Sequence, residues 1–212
     1  MKKYRWLILT VVVLFPVLIY VYCEYRLHGI ALEYAPNDIP QTYFYNHSPR
    51  FNKALWIYYT DDQEFRIRKI SLWRALYEVL SQRRVPGRDS DDIIYMASRI
   101  LIAGSKKDNF RPLGWQMTWL AVSEWISRNW DIDQCLSFLS NRTYFGNGCF
   151  GIAEASKAYF GKAPEDLNTD EICMLIATMW SHTQYNPKNR NEKFINKLSE
   201  VKSVILRSKN WK

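Results

Sequence analysis

The N-terminal end of the chain joins a short basic stretch to a long apolar one. Residues 1–5 read MKKYR, and residues 6–22 are apolar apart from Thr10 and the tyrosines at the end. A helix of about 17 to 20 apolar residues is long enough to cross a bilayer, and basic residues before such a helix keep the N-terminus in the cytoplasm. The pattern therefore predicts a cytoplasmic tail at 1–5 and a single transmembrane helix at 6–23, with the rest of the chain outside the cytoplasm.

Most of the remaining chain has apolar positions three and four residues apart, a spacing that is typical of amphipathic helices. The spacing predicts helices at 71–82, 113–128, 132–139, 152–160 and 189–209. Two further helices are predicted to begin at caps, Ser90 and Thr169, because each residue precedes acidic residues in a favoured first turn.

The stretch before residue 71 lacks this spacing. Residues 24–52 contain several prolines and aromatic clusters, which predict a partly extended juxtamembrane segment. Residues 55–59 predict a short strand or a buried turn. The sequence as a whole predicts a mainly α domain at 53–212 that follows the transmembrane helix and the juxtamembrane segment.

Glycines punctuate the second half of the chain. Gly146, Gly148 and Gly151 separate two predicted helices. Glycine reaches left-handed backbone angles at no steric cost, so their spacing predicts a tight corner. Gly161 is predicted to stop the helix that follows, as glycine commonly does just past a helix end.

The stretch from 141 to 187 carries residues in the order and spacing of a known family. An asparagine precedes an aromatic-Gly-x-Gly turn, and Gly-Ile, Tyr-Phe-Gly-Lys and Tyr-Asn-Pro follow. The stretch resembles the peptidoglycan glycosyltransferase (transglycosylase, glycosyltransferase family 51) domain of class A penicillin-binding proteins and monofunctional transglycosylases. The matching residues are Asn141, Phe145, Gly146, Gly148, Gly151, Ile152, Leu167 and Glu171, with 159–162 and 185–187. A weaker resemblance extends from about residue 55 to residue 206.

The resemblance implies a lysozyme-like helical fold, which agrees with the predicted helices. It also implies a chemistry. The family transfers a disaccharide from lipid II to a growing glycan and releases undecaprenyl pyrophosphate, and a glutamate acts as the base on the acceptor sugar hydroxyl. The position of that base in this chain therefore decides what the resemblance implies about activity.

The base motif of the family, Glu-Asp-x-x-Phe, falls on Asp61, Asp62 and Phe65, so aspartate occupies the base position. Aspartate is one methylene shorter than glutamate, and a displacement of about 1 Å can cost ~100-fold in rate. Glu64 lies nearby and replaces the base only if the loop is re-aimed. The candidate catalytic residues are Asp61 and Glu64, with Asp62 as a substrate-binding candidate. A solvated acidic turn is the alternative for all three.

A second family motif supplies hydroxyls, amides and a lysine that surround the donor pyrophosphate. In the matching stretch Ser90 is kept, whereas Ser98 replaces the lysine. Asp91 and Asp92 enter the polar run, and carboxylates close to a pyrophosphate oppose its binding. Arg99 supplies a cation one position later, which is about 100° around a helix. Ser90 and Arg99 are therefore the substrate-binding candidates here.

The third family motif, Arg-Lys-x-x-Glu, falls on Trp115, Gln116 and Trp119, so the basic clamp is missing. The last family glutamate falls on Gln134, which cannot carry a charge. Tryptophans at helical spacing indicate packing in the core or against a membrane more than a surface for sugar stacking or partner binding.

Composition narrows the classes of partner. The net charge of +8 fits an anionic lipid or a pyrophosphate, and fits a solvated basic face equally well. The absence of an arginine-rich tract or a nucleic-acid motif argues against nucleic acid. Cys135 and Cys173 fall on apolar helical faces and are predicted to be buried thiols rather than a disulfide. The histidines lack ligand spacing, so we expect no metal site and no cofactor.

The residues that build the fold match the family, whereas most residues that would hold pyrophosphate or move protons do not. Because fold does not imply function, the sequence favours a catalytically impaired relative in the bacterial envelope. Such a relative would bind a cell-wall synthase, a glycan or a lipid-linked precursor. Two alternatives stay open: an active enzyme that polymerises lipid II with a rearranged site, and an interaction module of a secretion or pilus complex. Each is expected in the inner membrane, through 6–23, with its domain in the periplasm or outside the cell.

Overall fold

The computed structural model describes residues 2–34, 41–45, 47–61, 66–74, 77, 89–105, 112–185, 187–188 and 191–211. Its α-helices are α1 (Lys2–Tyr34), α2 (Pro49–Thr60), α3 (Ser90–Ala103), α4 (Pro112–Asn129), α5 (Ile132–Arg142), α6 (Gly151–Phe160), α7 (Thr169–Trp180) and α8 (Glu192–Arg207). Short 3₁₀ turns lie at Gln41–Phe44, Pro164–Asp166 and Lys209–Trp211. Within these ranges β pairing is limited to one isolated bridge between Tyr144 and Phe150. The predicted mainly α fold is confirmed.

Helix α2 lies at the centre of the domain. Ser48 caps it by accepting a hydrogen bond from the backbone N–H of Phe51 at 3.2 Å, and Pro49 takes the first helical position, where no N–H is needed. Helices α3, α5, α7 and α8 contact α2 and bury most of its residues. The predicted strand or turn at 55–59 is wrong, because a helix buried on all sides presents an unbroken apolar run whose periodicity does not separate it from a strand.

Helix α1 is unbroken from Lys2 to Tyr34 and passes through Pro16. Its side chains from Val11 to Ile19 are all exposed. The stretch Val11–Tyr34 is long and apolar enough to cross a membrane. The predicted irregular segment is therefore wrong for residues 24–34, where the helix continues because apolar residues on one side of it pack on the domain.

The α1–α4 seam is the contact between α4 and the face of α1 that runs from Tyr20 to Tyr34. Leu27 and Ala31 of α1 form a buried cluster with Ala121 of α4. These α1 positions are four residues apart and so lie on one side of the helix. The seam fixes the C-terminal part of α1 to the domain.

The polar end of the α1–α4 seam holds two carboxylates and one cation. Arg128 contacts Glu24 of α1 at 3.3 Å (Nη2–Oε2) and also pairs with Glu124. The Tyr20 hydroxyl donates to Glu24 at 2.7 Å. Burial and the nearby charge of Glu24 raise the pKa of Glu124 to about 7, and Arg128 only partly opposes this rise.

Two predicted caps are displaced by one residue. The cap of α3 is Asp89, and Ser90 is the first helical residue. The cap of α7 is Asn168, whose side chain accepts from the backbone N–H of Glu171 at 2.9 Å, while Glu171 accepts from the backbone of Asn168 at 2.8 Å. Thr169 is therefore inside the helix. Adjacent Asp-Ser and Asn-Thr pairs offer two good caps each, so the sequence does not separate them.

The other helices lie where the spacing predicts them. Helices α4, α5 and α6 coincide with the predictions at 113–128, 132–139 and 152–160, within a few residues at their ends. Helix α8 begins at Glu192, and its buried face includes Phe194, Val201 and Ile205. Of the helix predicted at 71–82, residues 72–74 and 77 are helical, and 75–76 and 78–82 lie outside the described residues.

Candidate functional site

A cavity of about 620 Å³ lies where the end of α2 meets the start of α3. Its lining combines cations with hydroxyls and apolar side chains: Trp56, Thr60, Arg66, Ile67, Arg68, Lys69 and Ser90. We call Arg66, Arg68 and Lys69 the cationic rim, because all three side chains are exposed at the cavity. A concentration of positive charge beside apolar surface suits an anionic group.

None of the site residues predicted from the sequence belongs to the cationic rim, and Trp56 and Thr60 of α2 were not predicted either. A signal for the rim is present in residues 66–70, which read RIRKI directly after the predicted base motif. Its basic residues are exposed, whereas Ile70 is buried. Trp56 and Thr60 have no comparable run of basic residues beside them. They lie on α2, which was not predicted as a helix.

Asp61 lies just beyond Thr60, at the left-handed cap of α2 with φ 52°. Its Oδ1 accepts a hydrogen bond from Nη2 of Arg207, at the end of α8, over 2.9 Å. More than half of each side chain is exposed, and exposed ion pairs of this kind contribute about 0–1 kcal/mol. The predicted base thus sits next to the cavity but faces α8. Asp62 and Glu64 lie outside the described residues.

Of the two predicted substrate-binding residues on α3, one reaches the cavity. Ser90 is 4% exposed and lines it, and its hydroxyl donates to Oδ1 of Asp89 at 3.1 Å. Arg99 is exposed further along α3 and is not part of the lining. Ser98, its neighbour, is fully buried, as a rotation of about 100° between adjacent helix positions requires.

Cations next to the cavity are paired with carboxylates of α3 and its cap. Arg68 of the cationic rim contacts Asp89 at 2.9 Å (Nη1–Oδ2). Arg74 pairs with Asp91, whose side chain is only 9% exposed. In each pair the carboxylate offsets the charge of the guanidinium. Asp91, which the resemblance places in the polar run of the family motif, therefore holds an arginine of the preceding segment, and so does the cap residue Asp89.

Ser98, which the resemblance places where the family has a lysine, takes part in helix packing. The Ser98 hydroxyl donates to the carbonyl oxygen of Tyr95 at 2.9 Å and lies 2.9 Å from the Ser123 hydroxyl of α4. Nearby, the Trp119 indole N–H donates to the same carbonyl at 3.2 Å, and its ring lies 4.8 Å from that of Tyr95. The packing role predicted for this tryptophan is confirmed.

Gln134, at the position of the last family glutamate, closes the N-terminal end of α5. Its backbone N–H donates to Oδ1 of Asp131 at 2.8 Å, and its side-chain oxygen accepts from the backbone N–H of Asp131 at 2.9 Å. This reciprocal pair is a capping box. The side chain is engaged with its own helix and is not directed at a ligand.

The glycine corner is built as predicted, with φ of 85°, 77° and 79° at Gly146, Gly148 and Gly151. A Cβ on Gly151 would lie 2.5 Å from the carbonyl oxygen of Asn141, a distance that only glycine avoids. The Asn141 side chain donates to the carbonyl oxygens of Tyr43 and Tyr45 at 3.0 and 2.7 Å. It thereby joins the corner to the segment after α1.

The remaining family positions also make internal contacts. The Tyr159 hydroxyl donates to the carbonyl oxygen of Phe145 at 2.8 Å. Lys162 donates to Oε1 of Glu171 at 2.7 Å. Burial alone would raise the pKa of Glu171, but the hydrogen bonds from Lys162 and from the backbone of Asn168 lower it overall. These residues hold α6 and α7 together.

Metal and thiol chemistry find little support in the described part of the chain. It contains no group of three or more His, Cys, Asp or Glu residues arranged to hold a metal ion. Cys135, Cys149 and Cys173 are buried and unpaired, which confirms the predicted burial of Cys135 and Cys173. Burial raises the pKa of Cys173 to about 12, so its thiol stays protonated near neutral pH.

The second half of the chain is similar to proteins of a known family. Residues 105–207 match the model of a family described as Transglycosylase. Penicillin-binding protein 2a of Streptococcus pneumoniae is 33% identical over 76 residues, 36% of this chain and 10% of that protein. Penicillin-binding protein 1A of Mycolicibacterium smegmatis is 38% identical over 68 residues, 32% of this chain and 9% of that protein. The same-named protein of Aquifex aeolicus is 31% identical over 81 residues, 38% of this chain and 11% of that protein.

The matched regions cover about a tenth of the length of these relatives. The family match begins after Asp61, Ser90 and Arg99, so the roles of these three residues stay predictions. It contains the whole glycine corner and the helices on either side of it. Residues 105–207 are thus similar to the transglycosylase domain of class A penicillin-binding proteins.

Proposed function

We propose that this protein is a membrane-anchored, transglycosylase-like component of the bacterial cell envelope that binds a ligand or partner without polymerising glycan. One observation carries the proposal: Arg68 is held by Asp89, and Arg74 by Asp91. The resemblance places a donor pyrophosphate in this part of the site. Carboxylates already bound to the arginines neutralise them, so these arginines stabilise the charge that develops on a leaving pyrophosphate less well.

The positions that would handle protons support the same proposal. Asp61, at the base position, pairs with Arg207. Gln134 is uncharged and closes a capping box, and Ser98 is buried in a helix contact where the family has a lysine. Transfer of a sugar needs a base within reach of the acceptor hydroxyl, and positively charged side chains beside the negatively charged leaving pyrophosphate.

The cavity suits a lipid-linked precursor best among the proposed ligands. Arg66 and Lys69 stand at its rim beside the apolar side chains of Trp56 and Ile67. An anionic group attached to an apolar carrier would meet both kinds of surface. A glycan strand and a cell-wall synthase are the other partners compatible with a transglycosylase domain.

The same proposal includes a location. Helix α1 crosses the inner membrane once at 6–23, with residues 1–5 in the cytoplasm, because basic residues precede its apolar part. The domain then lies in the periplasm or outside the cell. A C-terminal alkaline phosphatase fusion is expected to be active. An inactive fusion at normal protein level would overturn this topology.

Purified full-length protein and lipid II test the function directly. We expect no glycan chains on a gel, and saturable binding of fluorescent lipid II that Lys69→Gln weakens several-fold. Lys193→Gln is the matched control, since Lys193 is an exposed lysine on α8, away from the cavity lining. Glycan chains made by the wild-type protein would contradict the non-catalytic proposal. Equal binding by both variants would contradict the assignment of the cavity.

The active-enzyme alternative has one observation in its favour. The Asp61 carboxylate is exposed, and its neighbour Thr60 lines the cavity, so a substrate that displaced Arg207 would find a carboxylate nearby. Under that alternative the wild-type protein polymerises lipid II and Asp61→Ala or Glu64→Ala abolishes the activity. The remaining alternative is an interaction module of a secretion or pilus complex, for which neighbouring genes of such a complex would be the first support.

A further inference from the structure

A second element of the chain lies beside the apolar part of α1. The Trp73 ring stacks on the Tyr20 ring of α1, with centroids 5.2 Å apart and planes at 16°. Despite this contact Trp73 is 58% exposed, and Tyr77 is 61% exposed. Both residues are helical and four positions apart, so they share one side of the turn.

The position of Tyr20 along α1 fixes the level of this aromatic pair. Tyr20 directly follows Val11–Ile19, where all side chains are exposed and most are apolar, and it lies inside the stretch that is apolar enough to span a membrane. Leu72, next to Trp73, packs against the buried cluster of the α1–α4 seam. This contact holds the helical residues 72–74 beside Tyr20. Trp73 therefore lies beside the end of the apolar part of α1.

Polar groups begin one helical turn further along α1. Glu24 pairs with Arg128, and Arg26 is exposed. Lys69, four residues before Trp73, is exposed as well. Aromatic side chains level with the end of an apolar span, with cations just beyond them, match the boundary between acyl chains and anionic headgroups.

We propose that Trp73 and Tyr77 form a membrane-contact surface, by which the domain rests on the outer face of the bilayer that α1 crosses. The proposal rests on the membrane anchoring given under Proposed function. Tryptophan and tyrosine have an apolar ring and one polar group, so they are stable where acyl chains meet headgroups. The bilayer would cover two of the large side chains that the domain leaves exposed.

Photocrosslinking of the full-length protein in vesicles of phosphatidylethanolamine and phosphatidylglycerol tests this surface. A benzophenone amino acid, p-benzoylphenylalanine, is placed in turn at Trp73, Tyr77, Val12 and Phe150, and lipid adducts are measured by mass spectrometry. Phe150 is the matched control, since it is 56% exposed and contacts Tyr144 on the glycine corner. Val12 reports whether α1 itself is in the bilayer.

Lipid adducts at Trp73 and Tyr77, at least tenfold above those at Phe150, are expected. Adducts at Val12 without adducts at Trp73 and Tyr77 would overturn the contact surface and leave the membrane anchor standing. An equal yield of lipid adducts at Phe150 would also overturn the contact surface, because lipid would then reach Trp73 and Tyr77 no more often than an exposed residue elsewhere on the domain. A lack of adducts at Val12 would instead contradict the anchoring on which both proposals depend.

Discussion

The residues of the glycine corner match the family, whereas the resemblance predicts substitutions around the cavity. At the corner each retained residue makes a contact that closes the backbone, as Gly151 does against Asn141. For the segment around the cavity and along α3, the resemblance predicts that family residues are replaced, and there Asp91 contacts Arg74 and Ser98 contacts Ser123. The residues that the fold requires and those that the chemistry requires are thus separate sets, and one set can change while the other stays.

The largest expected effect is at the corner. Gly151→Ala combines a left-handed φ with a Cβ 2.5 Å from the Asn141 carbonyl oxygen, so it should lower the free energy of unfolding by about 3 kcal/mol. Gly148→Ala is the control: its φ is also left-handed, but no atom lies within 4 Å of the added Cβ, so about 1 kcal/mol is expected. Denaturant unfolding in detergent measures both. Equal losses would mean that the contact with Asn141 does not set the corner.

The next effect concerns the buried charge beside the cavity. Asp91→Asn leaves the Arg74 guanidinium without its carboxylate, and should cost about 2 kcal/mol of unfolding free energy because Asp91 is nearly buried. Adding Arg74→Gln should recover part of this loss, since the guanidinium that lost the Asp91 carboxylate is then removed as well. If the single and double variants are equally stable, the pair does not hold the site, and the contrast with the corner weakens.

The corner's side of this contrast could be predicted from the sequence because it rests on local signals. The φ requirement of the glycines and the apolar spacing of α5, α6 and α8 act within a few residues. Helix α2 was missed, since burial on all sides removes its periodicity. The pair between Arg68 and Asp89 joins positions about 20 apart in the chain, and no local pattern reports such a contact. The continuation of α1 beyond residue 23 also depends on packing against α4.

A smaller effect is expected in the pH dependence of stability. The pKa of Glu124 is raised from 4.5 to about 7 in the folded protein. The folded state therefore keeps a proton that the unfolded state loses between these values, and the free energy of unfolding falls as pH rises through that window. Glu124→Gln removes the titration and should flatten the fall by about 1 kcal/mol between pH 5 and pH 7.5. Denaturation at several pH values in detergent measures it, and an unchanged slope would contradict the assignment to Glu124.

The smallest effect is expected at Asp61. Its exposed pair with Arg207 contributes little, so Asp61→Ala should change the unfolding free energy by less than about 0.5 kcal/mol. We also expect that Asp61→Glu gives no glycan from lipid II, because groups that act as a unit are not restored singly. Asp61→Ala should complement a deletion strain at normal protein level on a blot. A stable variant that fails to complement, beside a wild type that polymerises lipid II, would make the cavity an active site after all.

The unbroken course of α1 also bears on how a ligand would find the cavity. Beyond Tyr22 the helix rises about 18 Å while seated on α4, so in a bilayer the domain would turn about the membrane normal with little freedom to swing away from it. A carrier confined to the same bilayer would then meet the cavity by lateral diffusion at a nearly constant height. Its encounter rate would depend on its density per membrane area, and a water-soluble competitor would lack that advantage.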